Sequence, residues 1–130
     1  MSLLNRNEII AYMRRLDLPI CQYWITAGAG LTLYGIKNET ADIDLGCTLD
    51  LFNALKERGW KLDRIKGYDR LVYDDIVEVT QEERVETTII EGLSVASIES
   101  IKAEKIKLGR EKDICDIDRI DAYLKKNKTR

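Results

Sequence analysis

Apolar and polar residues recur with two different periods along the chain, and the period separates helical segments from extended ones. From Asn5 to Leu16 the apolar residues recur every three or four positions, as on one face of an amphipathic helix. Glu8 stands three residues after Asn5, which is the spacing of a helix N-cap with its capping box. Similar patterns predict further helices over Ala29–Tyr34, Leu49–Arg58, Ser97–Leu108 and Lys112–Leu124, followed by a frayed tail over residues 125–130.

Strand-like segments lie between these helices. The near-continuous apolar run Cys21–Thr26 predicts a strand at the centre of a sheet, and Ala41–Cys47 predicts a second strand. Between Trp60 and Val95 the period approaches two, which predicts strands near Lys61–Lys66, Leu71–Tyr73, Ile76–Val79 and Arg84–Ile90. The order predicts an α+β fold in a single domain, residues 1–130, with a mixed sheet flanked by helices and two helices at the C-terminal end.

Two aspartates in the second predicted strand are the first candidates for chemistry. Asp42 and Asp44 are separated by one residue, so in a strand their side chains project from the same face. Neighbouring carboxylates repel each other, and a hard divalent cation with a preference for oxygen ligands relieves this repulsion. The Asp42-Ile43-Asp44 segment therefore indicates a metal site.

A glycine-rich turn precedes the predicted short helix and suits phosphate. Gly28-Ala29-Gly30 would let the backbone approach an anion closely, and the helix N-terminus offers free N–H groups and a positive dipole end. Lys37, in the loop before the aspartates, could reach a triphosphate or could be an ordinary exposed lysine. A phosphate site beside metal-binding carboxylates is typical of nucleotide chemistry.

In this order, the turn, the short helix and Asp42-Ile43-Asp44 resemble the nucleotidyltransferase fold of the polymerase-beta superfamily. The likeness is greatest to small bacterial and phage members related to abortive-infection toxins and to antibiotic nucleotidyltransferases. Those proteins also have an ending that Lys105, Gly109-Arg110-Glu111-Lys112-Asp113 and Asp116 resemble. The resemblance implies an NTP substrate, Mg²⁺ (with a two-ion site possible), and an acceptor hydroxyl on a small molecule, a tRNA or a protein.

Members of this superfamily usually add a third carboxylate from a neighbouring strand. Glu78, within Ile-Val-Glu-Val, has the expected surroundings, while Asp74 and Asp75 are rivals that look more like a hairpin tip. Ala29 stands where many relatives carry serine, which removes a hydroxyl contact to phosphate. The alternatives are therefore a catalytically weakened binding protein or toxin–antitoxin component, and an unrelated α+β binding protein with a chance Asp-x-Asp pair.

Lys105 occupies an unusual position for a charged residue. At about 100° per residue it falls within the apolar face of its predicted helix, which is formed by Ile98, Ile101 and Leu108. A lysine in such a position either snorkels to solvent or has a specific anionic partner. We expect Lys105 to point into the cleft, towards Asp42 and Asp44 or towards a bound triphosphate.

Composition narrows the classes of function. The net charge of −2 gives no overall basic field for nucleic acid, and the absence of histidine excludes His-based triads. No apolar run approaches the ~20 residues of a membrane helix, and the first residues do not resemble a signal peptide. Together with an odd number of widely spaced cysteines, these features favour a cytoplasmic protein.

A chain of 130 residues has little surface to spare for binding an acceptor. We therefore expect a homodimer or a partner protein to complete the site.

Overall fold

Residues 3–128 are described by the computed structural model, and most of their strands belong to one seven-stranded mixed sheet. None of the described helices is long and apolar enough to cross a membrane. In chain order the elements are β1 (Leu4–Asn5), α1 (Arg6–Leu16), β2 (Tyr23–Thr26), α2 (Ala27–Tyr34), β3 (Glu39–Thr40), β4 (Ile43–Cys47), α3 (Leu49–Glu57), β5 (Lys61–Ile65), β6 (Tyr68–Tyr73), β7 (Val77–Gln81), β8 (Thr87–Ile90), β9 (Leu93–Ala96), α4 (Ile98–Leu108) and α5 (Glu111–Lys128).

The strand order in the sheet is β5-β6-β7-β4-β2-β9-β8. At its centre β4 pairs in parallel with β7 and antiparallel with β2, and β2 pairs in parallel with β9. The hairpins β5–β6 and β8–β9 form the two edges, while β1 and β3 form a separate two-stranded sheet. This mixed sheet with helices packed against it is the predicted α+β fold.

Helix positions agree with the predictions from the sequence, with differences at the ends. Glu8 N donates to the side chain of Asn5 over 2.9 Å and the Glu8 carboxylate accepts from Asn5 N over 3.0 Å, so the capping box is present. α2 begins at Ala27 rather than Ala29. We predicted a frayed tail from Lys125 onward. This prediction is wrong for residues 125–128, because α5 continues to Lys128. Residues 129–130 of that predicted tail lie outside the described part of the chain.

The predicted strand Arg84–Ile90 is only partly correct. The strand begins at Thr87, and a second strand, β9, follows after a turn at Glu91 and Gly92. Both turn residues have positive φ, 52° and 78°, as in the tight turns that favour two-residue hairpins. β9 is short and entirely buried, so it shows no alternation of polar and apolar residues that would predict it.

The two faces of the sheet differ in chemistry. Along β4 the side chains of Ile43, Leu45 and Cys47 are buried in the larger apolar cluster, which also contains residues of α1 and α3. Asp44 and Gly46 alternate with them and therefore face the opposite side. On that side a smaller apolar cluster packs the β2–β9 region against α4 and α5; its members are Trp24, Leu31, Ala96, Ile101 and Ile120.

Gly46 allows a hydrogen bond to cross the sheet surface. Trp24 Nε1 donates to Glu82 Oε1 over 3.0 Å, and a Cβ atom placed on Gly46 would overlap both of these atoms. Burial raises the pKa of Glu82, and the indole hydrogen bond opposes this increase. The absence of a side chain at position 46 therefore allows the Trp24–Glu82 hydrogen bond to form on this face of the sheet.

We predict that Gly46→Ala destabilises the protein by about 1–3 kcal/mol, because the added methyl group would overlap the indole ring of Trp24, which is buried and has little room to move. The free energy of unfolding is measured by urea denaturation. Thr87→Ala is the control: Thr87 is exposed on the edge strand β8, and its replacement should cost within about 0.5 kcal/mol. Equal stability of Gly46→Ala and the parent would contradict the described packing.

Candidate active site

Three carboxylates meet on the open face of the sheet. Asp44 on β4 is directly opposite Glu78 on β7 in the parallel pairing, and Asp42 immediately precedes β4. One carboxylate oxygen from each residue lies within 4.8 Å of the corresponding atoms of the other two. Of the candidates for a third carboxylate, Glu78 therefore joins the pair. Asp74 and Asp75 lie exposed in the β6–β7 turn, as a hairpin tip would.

Asp42, Asp44 and Glu78 form a group that we call the carboxylate trio, and burial together with repulsion inside the trio raises the proton affinity of Asp44 and Glu78. Burial, followed by repulsion from Asp42 and Glu78, raises the pKa of Asp44 to about 7, although Lys105 and Arg70 oppose the change. The pKa of Glu78 is also raised, first by burial and then by Asp42. The folded protein therefore favours either a proton or a cation at this position.

The trio fits a hard divalent cation. All its donor atoms are carboxylate oxygens, the ligand type that Mg²⁺ and Ca²⁺ prefer. Oxygens on opposite sides of a Mg²⁺ ion are roughly 4 Å apart, since each bond is about 2.0–2.1 Å. A spacing of at most 4.8 Å needs only small side-chain movements to surround one ion.

A cleft of about 660 Å³ extends from the trio between the sheet and the junction of α4 with α5. This volume lies within the usual range for small-molecule sites, about 300–1,000 Å³. Four cationic residues line the cleft: Arg70, Lys107, Arg110 and Lys112. Besides Glu78, three further glutamates line it: Glu82, Glu83 and Glu104. Anionic and cationic groups in one cleft suit a metal ion together with the phosphates it would accompany.

The predicted glycine turn, Gly28-Ala29-Gly30, lies inside α2 and does not line the cleft, although the two residues just before it do. Thr26 and Ala27 line the cleft, and Ala27 has a φ of +53°, a strained value for a residue other than glycine. Ala29 and Gly30 are buried, and a Cβ on Gly30 would come 2.7 Å from Ile101 Cδ1. The lack of a side chain at Gly30 thus allows α2 to approach α4. An anion in the cleft would meet the backbone at the start of α2.

Gly28 lies beside Lys37. A Cβ on Gly28 would be 3.9 Å from Lys37 Nζ and 2.7 Å from Thr40 Oγ1, so the absence of a side chain brings this loop close to the start of α2. Lys37 Nζ is 3.7 Å from Asp116 Oδ1 on α5. The lysine is therefore partly neutralised by a carboxylate from the last helix.

Lys105 has partners that the sequence did not predict. Only 7% of the residue is exposed, and its Nζ lies 2.9 Å from Asp116 Oδ2 and 3.5 Å from Asp113 Oδ1. The expectation that Lys105 points into the cleft, towards Asp42 and Asp44 or a bound triphosphate, is corrected in one respect: Lys105 does not line the cleft, because α5 packs along α4 and provides two carboxylates that pair with it. It acts on Asp44 only by lowering that residue's pKa through space.

Arg110 completes a chain of alternating charges. Asp113 is fully buried and accepts from Arg110 Nε over 2.6 Å, from Nη2 over 3.2 Å and from the backbone N over 3.1 Å. These contacts lower the pKa of Asp113 to about 2. Because Arg110 lines the cleft, the network links the cleft to the loop after α2. Its members in order are Lys37, Asp116, Lys105, Asp113 and Arg110.

Arg70 is a functional candidate that the sequence reasoning missed. Its Nη1 contacts Glu78 Oε1, and its Nη2 lies 2.9 Å from Asp63 Oδ2 on β5. The alternation along β6 puts Arg70 on the same face as Val72, which is directly opposite Glu78. That signal is readable only once the register of β6 with β7 is known. Lys107 was likewise missed, whereas Arg110 and Lys112 lay in the segment that resembled a family ending.

No protein-family model matches the chain, and no curated protein matches it. Among solved structures, it is similar to the crystal structure of a "putative nucleotidyltransferase" (TM1012) from Thermotoga maritima. The TM-score is 0.61 at 17% sequence identity, and the match covers 98% of this chain and 97% of that chain. A likeness at this identity establishes the fold. The chain therefore has a nucleotidyltransferase-like fold, as its sequence predicted.

The raised pKa of Asp44 predicts a pH dependence of stability. The folded state binds this proton more tightly than the unfolded chain, so the contribution of Asp44 is largest below pH 4 and is lost as the pH rises to about 7. Asp44→Asn has no charge to bury. The free energy of unfolding of the parent, minus that of Asp44→Asn, should fall by on the order of 4 kcal/mol across this window, at about 1.4 kcal/mol for each pH unit. Urea denaturation in EDTA at several pH values measures it, and a constant difference would refute the assignment.

Replacement of Lys105 tests the buried charges. We expect Lys105→Met to lower the free energy of unfolding by roughly 2–3 kcal/mol, less than the loss of an isolated buried pair, because Lys37 and Arg110 still contact the two aspartates. Lys102→Met is the matched control on the same helix: Lys102 pairs with Asp121 over 2.6 Å with both side chains partly exposed, so its loss should cost under about 1 kcal/mol. Equal costs would show that Lys105 is no more important than a surface lysine.

Proposed function

We propose that the protein is a Mg²⁺-dependent nucleotidyltransferase that moves a nucleoside monophosphate from an NTP to a hydroxyl group of an acceptor. The observation that carries this proposal is the convergence of Asp42, Asp44 and Glu78 at one end of a cleft that also contains four cationic side chains. The nucleotidyltransferase-like fold agrees with it.

The carboxylate trio would hold Mg²⁺, in a one-ion or a two-ion site. When bound, the metal would neutralise charge on the reacting phosphate and align the attacking and leaving oxygens. The trio itself would do two things. It would hold the metal, which sets the position of the reacting phosphate, and it would supply a carboxylate that accepts the proton of the attacking hydroxyl.

The cationic side of the cleft would bind the triphosphate. Arg110, Lys107 and Lys112 line the cleft beside the trio, and the start of α2 offers backbone N–H groups. In the transfer a bond forms between the acceptor oxygen and the α-phosphorus. The bond from that phosphorus to the bridging oxygen breaks, and pyrophosphate leaves with its electron pair. These side chains would stabilise the charge on that leaving group.

Nucleotide binding would also depend on residues that support the wall of the cleft without lining it. These residues are Gly28, Ala29, Gly30, Lys37 and Lys105. The glycines let the chain at the start of α2 pack closely against its neighbours. Lys105 holds Asp113, and Asp113 in turn orients Arg110 towards the cleft. We therefore propose that Lys105 is a positioning residue for Arg110.

The position of Glu78 favours transfer over binding alone. A catalytically weakened copy would be expected to lack a third carboxylate beside the aspartates, whereas here its oxygen lies within 4.8 Å of theirs. The acceptor is proposed to carry a hydroxyl group, and a small molecule, a tRNA or a protein each meets that requirement.

Metal-dependent nucleotide binding tests the proposal. We expect the parent to bind NTP at least tenfold more tightly with Mg²⁺ than in EDTA, a difference of about 1.4 kcal/mol. The Asp42→Asn/Asp44→Asn double variant should lose this gain in affinity. Isothermal titration calorimetry measures both affinities. Asp75→Asn in the exposed β6–β7 turn is the control and should bind as the parent does. Mg²⁺-dependent binding that survives in the double variant would remove the metal-site assignment.

Transfer itself is detected by the mass gain of an acceptor. Candidate small molecules, tRNA and proteins are incubated with Mg²⁺ and each NTP, and mass spectrometry looks for an added nucleoside monophosphate. Mg²⁺-dependent NTP binding without any transfer product would favour the binding-protein alternative. A product that also forms with the double variant would exclude the trio as its source.

A further inference from the structure

Arg70 bridges two carboxylates at the border of the candidate active site. Its Nη1 contacts Glu78 of the trio, while Nε and Nη2 lie 3.0 Å and 2.9 Å from Asp63 Oδ2. Asp63 is the direct partner of Arg70 in the β5–β6 pairing, so the second contact is set by the hairpin register. The arginine side chain is 22% exposed, against 74% for Arg64 in the same hairpin.

The trio concentrates negative charge, and among residues 3–128 Arg70 is the basic residue that forms an ion pair with one of its members, Glu78. Lys105 and Arg110, which also act on the trio through space, are paired with α5 carboxylates. Repulsion among the trio is therefore offset mainly at Glu78, by direct contact with a guanidinium group. A cation that binds the trio must use the same carboxylate.

We propose that Arg70 is a built-in counter-ion of the metal-free site, which a divalent cation must displace from Glu78, and that the phosphates of the nucleotide assist this displacement. The inference rests on the proposed function, since it needs a metal site at the trio. It makes Arg70 a positioning residue that links the binding of metal to the binding of triphosphate.

Two features of the contacts support displacement. A divalent ion on Glu78 would bring like charge next to the guanidinium, which weakens the Arg70–Glu78 pair. Asp63 keeps its two contacts with Arg70 after that pair is lost, so the arginine is not left without a partner. Guanidinium groups bind phosphate in a bidentate manner, and Arg70 lines the cleft in which the triphosphate would lie. Metal and nucleotide should therefore each increase the affinity for the other.

A purely structural role makes a different prediction. If Arg70 only stabilised the β5–β6 hairpin, its removal would lower stability and leave metal affinity unchanged. Arg64 provides the matched comparison, because it also pairs with an aspartate in this hairpin, Asp69, over 2.8 Å, but makes no contact with the trio. Replacing Arg64 removes only an ion pair of the hairpin, whereas replacing Arg70 removes such a pair and also the cation that contacts Glu78. Comparison of the two variants therefore separates the two effects.

The test uses Mn²⁺ as a spectroscopic substitute for Mg²⁺. Binding of Mn²⁺ alone, and of Mn²⁺ with a non-hydrolysable NTP analogue, is followed by electron paramagnetic resonance for the parent, Arg70→Gln and Arg64→Gln. Without nucleotide, Arg70→Gln should bind Mn²⁺ about 5–10-fold more tightly than the parent, a range typical of linked sites. Arg64→Gln should match the parent. The gain in Mn²⁺ affinity caused by the analogue should be smaller in Arg70→Gln than in the parent.

The Asp42→Asn/Asp44→Asn variant separates the possible failures. If it loses Mn²⁺ binding while Arg70→Gln binds Mn²⁺ no better than the parent, the metal site stands and the role of Arg70 is refuted. If it retains full Mn²⁺ binding, the metal site and the role of Arg70 fall together. Circular dichroism verifies folding. Should Arg70→Gln fail to fold, Arg70→Lys replaces it: a lysine cannot bridge both carboxylates in the same way, and a Mn²⁺ affinity no higher than the parent's would again refute the role.

Discussion

The parallel pairing of β4 with β7 is the constraint on which the rest of the site depends. It puts Asp44 opposite Glu78 on one face and buries Ile43, Leu45, Val77 and Val79 on the other. Because side chains alternate, a shift of one residue would move Glu78 into the apolar core and a valine into the site. The burial of apolar residues on one face therefore fixes the chemistry of the other. No separate interaction is needed to bring the two strands' carboxylates together.

Charges around this face are arranged in two groups with different degrees of neutralisation. In the group on α4 and α5, each buried aspartate contacts at least one cation, and Lys105 contacts two aspartates. In the trio, Glu78 contacts Arg70. Within residues 3–128, neither Asp42 nor Asp44 forms an ion pair with a lysine or an arginine. The first group can hold the helices in place without a ligand. The second group is left with excess negative charge, which adds to the effect of burial in raising the pKa of Asp44.

Sequence reasoning succeeded where the relevant pattern is local. Asp42 and Asp44 share a face because of strand geometry alone, and Asn5 with Glu8 forms a helix cap within four residues. Periodicity correctly put Lys105 on an inward helix face but could not identify its partners, since these belong to α5 and depend on how two helices pack. The role of Arg70 depends on the register of three strands. Such long-range pairings are decided by the whole sheet, so a single sequence contains little direct information about them.

The β5–β6 hairpin lies at one edge of the sheet, where only β6 is tied to the interior. Edge strands open more readily than central ones because they have fewer neighbours. Here the edge strand carries Asp63, which holds the arginine that touches the trio. A local opening of β5 would thus change the charge beside the trio, while the larger apolar cluster, which contains no residue of β5, stays closed. In this fold a single side chain separates a strand at the sheet edge from the candidate metal site.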